Sequence, residues 1–91
     1  MSRYHKGRRF EYKVRDLLKR EGWIVFRCAA SKPVDLIALK GDAVVLIECK
    51  TGKARLTKDQ KRFLRLVAER TKAIVVIAEQ EDGQVLFKVL K

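Results

Sequence analysis

The feature that most constrains the fold is the segment "VDLIALKGDAVVLIECK", residues 34–50. Two runs rich in leucine, isoleucine and valine flank Gly41-Asp42, and runs of this kind favour β-strands. Glycine at the first position of a two-residue loop is typical of a type II′ turn. The segment therefore predicts a β-hairpin in which Lys40 faces Ala43.

Charged residues stand at the open end of this hairpin. The predicted register places Asp35 opposite Glu48, because the turn fixes every pair that follows it. Side chains alternate along a strand, so Glu48 and Lys50 project from one face and Cys49 projects from the other. We expect the two acids and the amine to form one cluster.

The rest of the chain has no repeat, linker or low-complexity tract, which indicates one domain over residues 1–91. The predicted elements are, in order, a flexible basic arm over 1–7, a helix over 8–21, a strand over 23–28, the two hairpin strands, a helix after Thr57, and strands over 73–78 and 84–90. The fold class is α/β, with the order α-β-β-β-α-β-β and a mixed central sheet flanked by helices.

Charge points to the kind of partner. The chain has 22 Lys and Arg against 11 Asp and Glu, a net charge of +11. An excess of this size favours a polyanion, above all nucleic acid, because cations set against phosphates release counterions. A generally basic surface, as in ribosome-associated or thermophile proteins, is the alternative.

Targeting and cysteine patterns suggest the compartment. The N-terminal sequence has no apolar signal core, and no run reaches the roughly 20 apolar residues of a membrane span. Cys28 and Cys49 form no C-x-x-C motif, and His5 is the sole histidine, so neither a zinc site nor a disulfide framework is indicated. We expect a cytoplasmic protein with no membrane partner and no small-molecule cofactor.

The hairpin charges suggest a chemistry. Two adjacent carboxylates repel each other and need a cation, and Mg²⁺ binds through one or two carboxylates while keeping positions for substrate phosphate. A metal held by Asp35 and Glu48 polarises a phosphoryl oxygen and acidifies a water, and Lys50 then orients that water or balances charge on phosphorus. The pattern predicts phosphodiester hydrolysis. The alternative is structural: Lys50 forms an ion pair with Glu48 or Asp35, and the protein is a non-catalytic basic nucleic-acid-binding domain.

Glu11 is a candidate fourth member of this site. On a helical wheel it falls about 20° beyond Leu18 at the edge of the apolar stripe, so it looks along the sheet edge. An ordinary first-turn acid that interacts with the helix dipole has the same placement.

These residues resemble a known signature. Pro33-Val34-Asp35 followed after twelve residues by Glu48-Cys49-Lys50 is similar to the motif of PD-(D/E)XK nucleases. The chain more specifically resembles archaeal-type Holliday junction resolvases. The shared features are "KG" before Glu11, "GW" after the first helix, Arg27 with "CAAS", "VDLIA" and "IECK".

The resemblance implies a homodimer that nicks paired strands of four-way junction DNA with Mg²⁺, for which Mn²⁺ is a plausible substitute. Carried over, it implies metal ligation by Asp35 and Glu48 with a contribution from Glu11, and a catalytic lysine at Lys50. It also implies DNA contacts by Arg27 near the cut and by the loop that contains Ser31 and Lys32. Another PD-(D/E)XK nuclease, acting on duplex, flap or damaged DNA, is the alternative within the superfamily.

Two positions need separate interpretation. The family usually has arginine directly after the helical glutamate, where this chain has Tyr12, so that phosphate contact is kept only if Arg8, Arg9 or Arg15 replaces the missing arginine. Gln60 matches a site glutamine of some PD-(D/E)XK nucleases, but Thr57-x-x-Gln60 is also a capping box, and we favour the cap.

Two basic patches are candidate DNA-binding surfaces. The first follows the predicted catalytic strand and consists of Lys53, Arg55, Lys58, Lys61 and Arg62, with Arg65 beyond them. The second consists of Lys6, Arg8 and Arg9. A solvated face is the usual interpretation of such runs, but their position favours contact with the phosphates of duplex DNA.

Overall fold

The computed structural model describes residues 3–28 and 34–90, with side chains from residue 7 onward. Its elements are α1 (Arg3–Arg20), β1 (Ile24–Arg27), β2 (Leu36–Lys40), β3 (Ala43–Lys50), α2 (Lys58–Arg70), β4 (Ile74–Glu81) and β5 (Gln84–Val89). The predicted α/β class and element order are confirmed.

The start of α1 was predicted wrongly. The helix begins at Arg3, so residues 3–7 of the expected flexible arm are helical. This first turn has no acidic residue to mark a helix N-terminus. Gly7 was taken as the end of the arm, but a single glycine inside a helix costs only about 1 kcal/mol relative to alanine, and the flanking Lys and Arg residues favour helix.

The five strands form one mixed sheet in the order β1-β2-β3-β4-β5. Neighbouring strands are antiparallel except β3 and β4, which run parallel because α2 crosses between them. Lys40 pairs with Ala43, which confirms the predicted hairpin register. In the turn Gly41 has a φ of 56° and Asp42 does not share its positive φ, as a type II′ turn requires.

The sheet separates two apolar cores, one under each helix. On the α1 side Phe10 and Val14 are buried against Leu36 and Ile47. On the α2 side Leu64 is buried with Val34, Val75 and their neighbours. Each fully buried side chain of this size contributes about 1.5–3 kcal/mol relative to its exposed state.

The two cores identify the face of each strand residue. Ile47 and Cys49 belong to the α1 side, whereas Leu46 belongs to the α2 side. By alternation Glu48 and Lys50 therefore lie on the α2 side, with Cys49 on the other, as predicted. Neither described helix is long and apolar enough to cross a lipid bilayer.

Candidate active site

The site is built around two buried acids. Asp35 is 6% exposed and Glu48 5%, the only buried charged residues among those described. Asp35 directly precedes β2, where its N–H donates to the carbonyl of Ile47 (3.1 Å) and its Oδ2 accepts from the N–H of Cys49 (2.7 Å). The regular ladder ends at the Leu36–Ile47 pair, so the carboxylate of Asp35 occupies the next position beside β3. Asp35 thus lies beside Glu48 as predicted, but its side chain, and not a further backbone pair, connects it to β3 beyond Ile47.

The two oxygens of Glu48 have different surroundings. Oε2 lies 3.4 Å from Nζ of Lys50 and accepts a hydrogen bond of 3.2 Å from Nε2 of Gln60. Oε1 is buried and has no hydrogen-bond partner among the described residues. A buried acceptor without a partner costs about 1–3 kcal/mol, which an incoming cation would remove.

The environment of Glu48 shifts its titration. Burial is the main cause that raises the pKa of this carboxyl from 4.5 to about 7; the neighbouring carboxyl of Asp35 contributes in the same direction, and Lys50 opposes the shift. The ionised form is therefore disfavoured in the protein alone. A divalent cation placed against the two acids would favour that form, because it adds opposite charge to a buried site.

The donor set fits Mg²⁺. Asp35 and Glu48 offer hard carboxylate oxygens, and Mg²⁺ is commonly bound by one or two carboxylates together with water and phosphate. Within residues 3–28 and 34–90, no three His, Cys, Asp or Glu side chains converge as a complete ligand cluster. A metal held here therefore needs oxygens from substrate or solvent as well as those of the pair.

Glu11 lies on the α1 side of the sheet. Its Oε1 accepts from Nε of Arg27 at 3.2 Å, and Arg27 shares the face of Val25, which packs in the α1-side core. The role of Glu11 as a metal ligand stays a prediction, and its described partner is the arginine that we expect to contact DNA.

Tyr12 is surrounded by arginine. The guanidinium carbons of Arg15 and Arg27 lie 4.6 Å and 5.0 Å from the centre of its ring. Contacts of this kind orient a guanidinium without neutralising it. Tyr12 thus positions the guanidinium groups of Arg15 and Arg27 around the position at which the family usually has an arginine.

Gln60 has both of the roles between which the sequence offered a choice. The capping box is present: the N–H of Gln60 donates to Thr57 Oγ1 (3.1 Å), and Gln60 Oε1 accepts from the N–H of Thr57 (2.9 Å). The same amide donates from Nε2 to Glu48. Because Oε1 is held by the cap, Nε2 is presented to the site. The predicted cap is confirmed, and the hydrogen bond to Glu48 also joins Gln60 to the candidate site.

One participant could not have been found from the sequence. The backbone N–H of Cys49 holds Asp35, yet nothing about the residue type signals this contact. It follows from the end of the β2–β3 ladder.

The predicted DNA-binding residues are distributed over two surfaces. Five of them are exposed on the loop after β3 and on α2: Lys53, Arg55, Lys58, Lys61 and Arg62. The α2 residues of this set line a shallow groove together with Arg65 and Glu69. Arg9 is exposed and Arg8 half-buried on α1. Ser31, Lys32 and the side chain of Lys6 lie outside the described part of the chain.

The chain matches known proteins along nearly its whole length. A family model described as archaeal Holliday junction resolvase (Hjc) matches residues 2–91. A curated protein of Methanocaldococcus jannaschii named crossover junction endodeoxyribonuclease Hjc is 36% identical over 88 residues, which cover 93% of this chain and 66% of that protein. The chain thus spans just under two thirds of the length of this relative.

A solved structure shares the fold. Hjc of Archaeoglobus fulgidus, described as a Holliday junction resolvase from an archaeal hyperthermophile, superimposes with a TM-score of 0.79 at 26% sequence identity. The match covers 93% of this chain and 73% of that one. The mixed sheet between two helices is therefore the fold of that resolvase.

Proposed function

The chain belongs to the archaeal Holliday junction resolvase family, and on this premise we propose that it is a Mg²⁺-dependent endonuclease that nicks four-way DNA junctions. We further propose that it works as a homodimer in the cytoplasm. The observation that carries the proposal is the cluster of Asp35, Glu48 and Lys50 on the α2 side of the sheet. A buried acid pair beside an amine suits metal-assisted hydrolysis of a phosphodiester, and its position matches the motif that first suggested the family.

Asp35 and Glu48 are the residues that would hold the metal. Oε1 of Glu48 is the oxygen available for this, since Oε2 already receives Gln60 and Lys50. When bound, Mg²⁺ supplies a Lewis acid for a phosphoryl oxygen and lowers the pKa of a water molecule. The N–H of Cys49 keeps Asp35 turned toward its partner.

In this proposal Lys50 stabilises the negative charge of the transition state. Its side chain is 20% exposed, so the ammonium reaches substrate from a site that is mostly shielded from water. There it balances the negative charge that develops on phosphorus as the nucleophile attacks, and shielding strengthens this interaction. Its contact with Glu48 fixes its position before substrate arrives.

A specific observation supports the rival interpretation. Lys50 and Glu48 do form an ion pair, as a non-catalytic domain stabilised by a charge network would have. A network built for stability, however, satisfies its buried oxygens. Oε1 of Glu48 has no hydrogen-bond partner among the described residues, and burial raises the pKa of this carboxyl to about 7. These features favour a site that awaits a cation.

The homodimer is proposed from symmetry and from exposed apolar surface. Two like strands must be cut, and a twofold dimer presents two equivalent sites. Phe26 (54% exposed) and Ile24 (63%) lie uncovered on β1. Phe26 pairs with Ile37, whose side chain packs on the α2 side, so both exposed residues are on that face. Large apolar side chains grouped at one edge of a sheet are a common mark of a protein interface.

A nicking assay tests the function directly. Four-way junction, linear duplex and flap DNA of matched sequence are incubated with the protein in Mg²⁺ or in EDTA. We expect paired nicks in the junction in Mg²⁺ alone. Equal cutting of linear duplex would replace the junction assignment with that of a general nuclease. Tight binding with no cutting in Mg²⁺ or Mn²⁺ would instead identify the protein as a non-catalytic nucleic-acid-binding domain.

A further inference from the structure

A cleft of about 340 Å³ opens beside Lys50 on the α2 side of the sheet. It lies between the loop 51–57 and the strands β4 and β5, so that the catalytic lysine forms one of its walls. Its size is at the lower end of the range of sites that hold a small organic ligand. Lys50 belongs to the site described above, and Arg55 and Lys61 belong to the basic surface, whereas the other residues that line the cleft have no role assigned so far.

The floor of the cleft is apolar. Leu56, Ile77 and Leu90 line it, and Leu56 and Leu90 also pack against the α2-side core. The N–H of Leu90 donates to the carbonyl of Val75 at 2.8 Å, which holds Leu90 against β4. A rigid apolar floor suits a base or a sugar, and it offers nothing to a phosphate.

The rim of the cleft is cationic. Four of its lining residues carry positive charge and one carries negative charge; the cations are Lys50, Arg55, Lys61 and Lys88. The acid is Glu79, whose Oε1 lies 3.1 Å from Nζ of Lys88. The register pairs Glu79 with Lys50 across β3 and β4, so this ion pair stands next to the catalytic amine. The rim is therefore complementary to a ligand that carries phosphates.

We propose that this cleft holds one unpaired deoxynucleotide of the strand to be cut, next to the phosphate at Lys50. The inference rests on the proposed function and deepens it. In a linear duplex the bases are stacked and expose only their edges in the grooves, so an apolar floor that takes the face of a base has no partner there. A nucleotide that leaves the stack presents its base to the floor and its phosphates to the rim, as in other enzymes that bind an extruded base.

This placement gives a physical reason for selectivity toward branched DNA. Pairing is interrupted most readily where the strands exchange, and a linear duplex must first be opened at a cost in free energy. The cleft thus increases the affinity for a branch point and adds no affinity for intact duplex. No base-specific donor is needed for this discrimination.

The first test places 2-aminopurine, whose fluorescence rises on unstacking, at each nucleotide flanking the cut. The cut position is mapped with the wild-type protein in Mg²⁺, and binding is then measured in Ca²⁺ to prevent cleavage. We expect fluorescence to rise at one flanking nucleotide when the junction binds. A junction that binds with no rise at either nucleotide would overturn the inference. A protein that cuts no junction at all would instead overturn the proposed function.

The second test fills the cleft. Ala54 is exposed and lines it, so Ala54→Trp occupies space without removing charge or disturbing the core. We expect roughly tenfold weaker junction binding, the usual order for losing one base contact, with duplex affinity unchanged. Gln84→Trp is the matched control, because Gln84 is exposed and does not line the cleft.

A third variant, Lys88→Gln, removes one rim cation at an exposed position and guards against misfolding of the tryptophan variant. We expect it too to lower the ratio of junction to duplex affinity. If Ala54→Trp and Lys88→Gln weaken junction and duplex equally, or weaken neither, the cleft does not hold an unpaired nucleotide.

Discussion

The amide of Gln60 donates to Glu48 across 3.2 Å, while its own oxygen caps α2. One side chain thus joins the start of a helix to a carboxylate of the candidate metal site. The cap determines which end of the amide faces Glu48. The start of α2 therefore helps to determine which oxygen of Glu48 remains available to a metal ion.

Gln60→Ala and Thr57→Ala separate the cap from the site. Each removes half of the capping box, so each is expected to lower the free energy of unfolding by about 0.5–2 kcal/mol. Gln60→Ala alone removes the donor to Glu48, and we expect it to lower cleavage or metal affinity by about 10–100-fold. Denaturant unfolding and single-turnover nicking measure the two effects. A loss of cleavage in Thr57→Ala as large as that in Gln60→Ala would show that helix stability alone is responsible.

Glu48→Gln tests the raised pKa. Without metal, the folded protein keeps a proton on Glu48 up to pH about 7, whereas the unfolded chain releases it near pH 4.5. The folded state therefore binds more protons between these values, and the contribution of Glu48 to stability falls as pH rises through this window. Above pH 7, in EDTA, we expect Glu48→Gln to be more stable than the wild type by about 1–3 kcal/mol. The difference should vanish below pH 4, as measured by urea unfolding.

The same variant, Glu48→Gln, tests whether the metal binds at Glu48. At pH 8 Mg²⁺ should raise the melting temperature of the wild type, since a ligand that binds the folded state stabilises it. It should have no effect on Glu48→Gln, and cleavage by this variant should be lost. An equal rise in both proteins would place the metal away from Glu48.

Lys50→Ala should separate catalysis from binding. Removing the ammonium takes away charge stabilisation in the transition state, and we expect single-turnover cleavage to fall by at least about 100-fold. Junction affinity in Ca²⁺ should fall by no more than it does in Lys88→Gln, because many other cations contact the DNA. Lys72→Ala, at an exposed position after α2, is the matched control. Unfolding of Lys50→Ala at assay temperature would instead assign Lys50 a structural role.

Arg62→Ala tests the basic surface of α2. Each lost phosphate contact lowers the slope of log affinity against log salt by about one. We expect that change for Arg62→Ala, with a similar loss on junction and duplex. Arg70→Ala removes the same charge from the other end of the helix and should leave the slope unaltered. Identical slopes for both variants and the wild type would mean that α2 does not lie along the backbone.

Phe26→Asp tests the proposed dimer surface. A charge placed in the middle of an apolar interface should favour the monomer, because it loses hydration without gaining a partner. Light scattering after size exclusion measures the mass, and we expect single nicks in place of paired ones. Ile74→Asp, at another exposed apolar residue (44%), is the control. If Phe26→Asp remains a dimer, the interface lies elsewhere.

Local patterns predicted the parts of the structure that depend on neighbours in sequence. Gly41 and Asp42 determine the hairpin turn and its register, and alternation along β3 places Glu48 and Lys50 on one face. Thr57 and Gln60 signal the helix cap for the same reason. The start of α1 at Arg3 escaped prediction because its first turn has no acidic residue to mark it.

Other parts depend on contacts that no local pattern contains. The backbone of Cys49 binds Asp35 only because the ladder ends there. Gln60 meets Glu48 only because α2 crosses back over β3 with a particular rotation. The cleft beside Lys50 combines residues from β3, the following loop and β5, which tertiary packing alone brings together.

Strand order in the sheet follows chain order from β1 to β5, so every strand pairs with the one made just before it. No later strand has to be inserted between two that have already paired. The sheet can therefore form in the order of the sequence, and the longest connection between paired strands is the crossover through α2. The hairpin that carries both acids depends only on pairs close in sequence, so the two carboxylates can be brought side by side by a contact of low loop-closure cost, independent of β4 and β5.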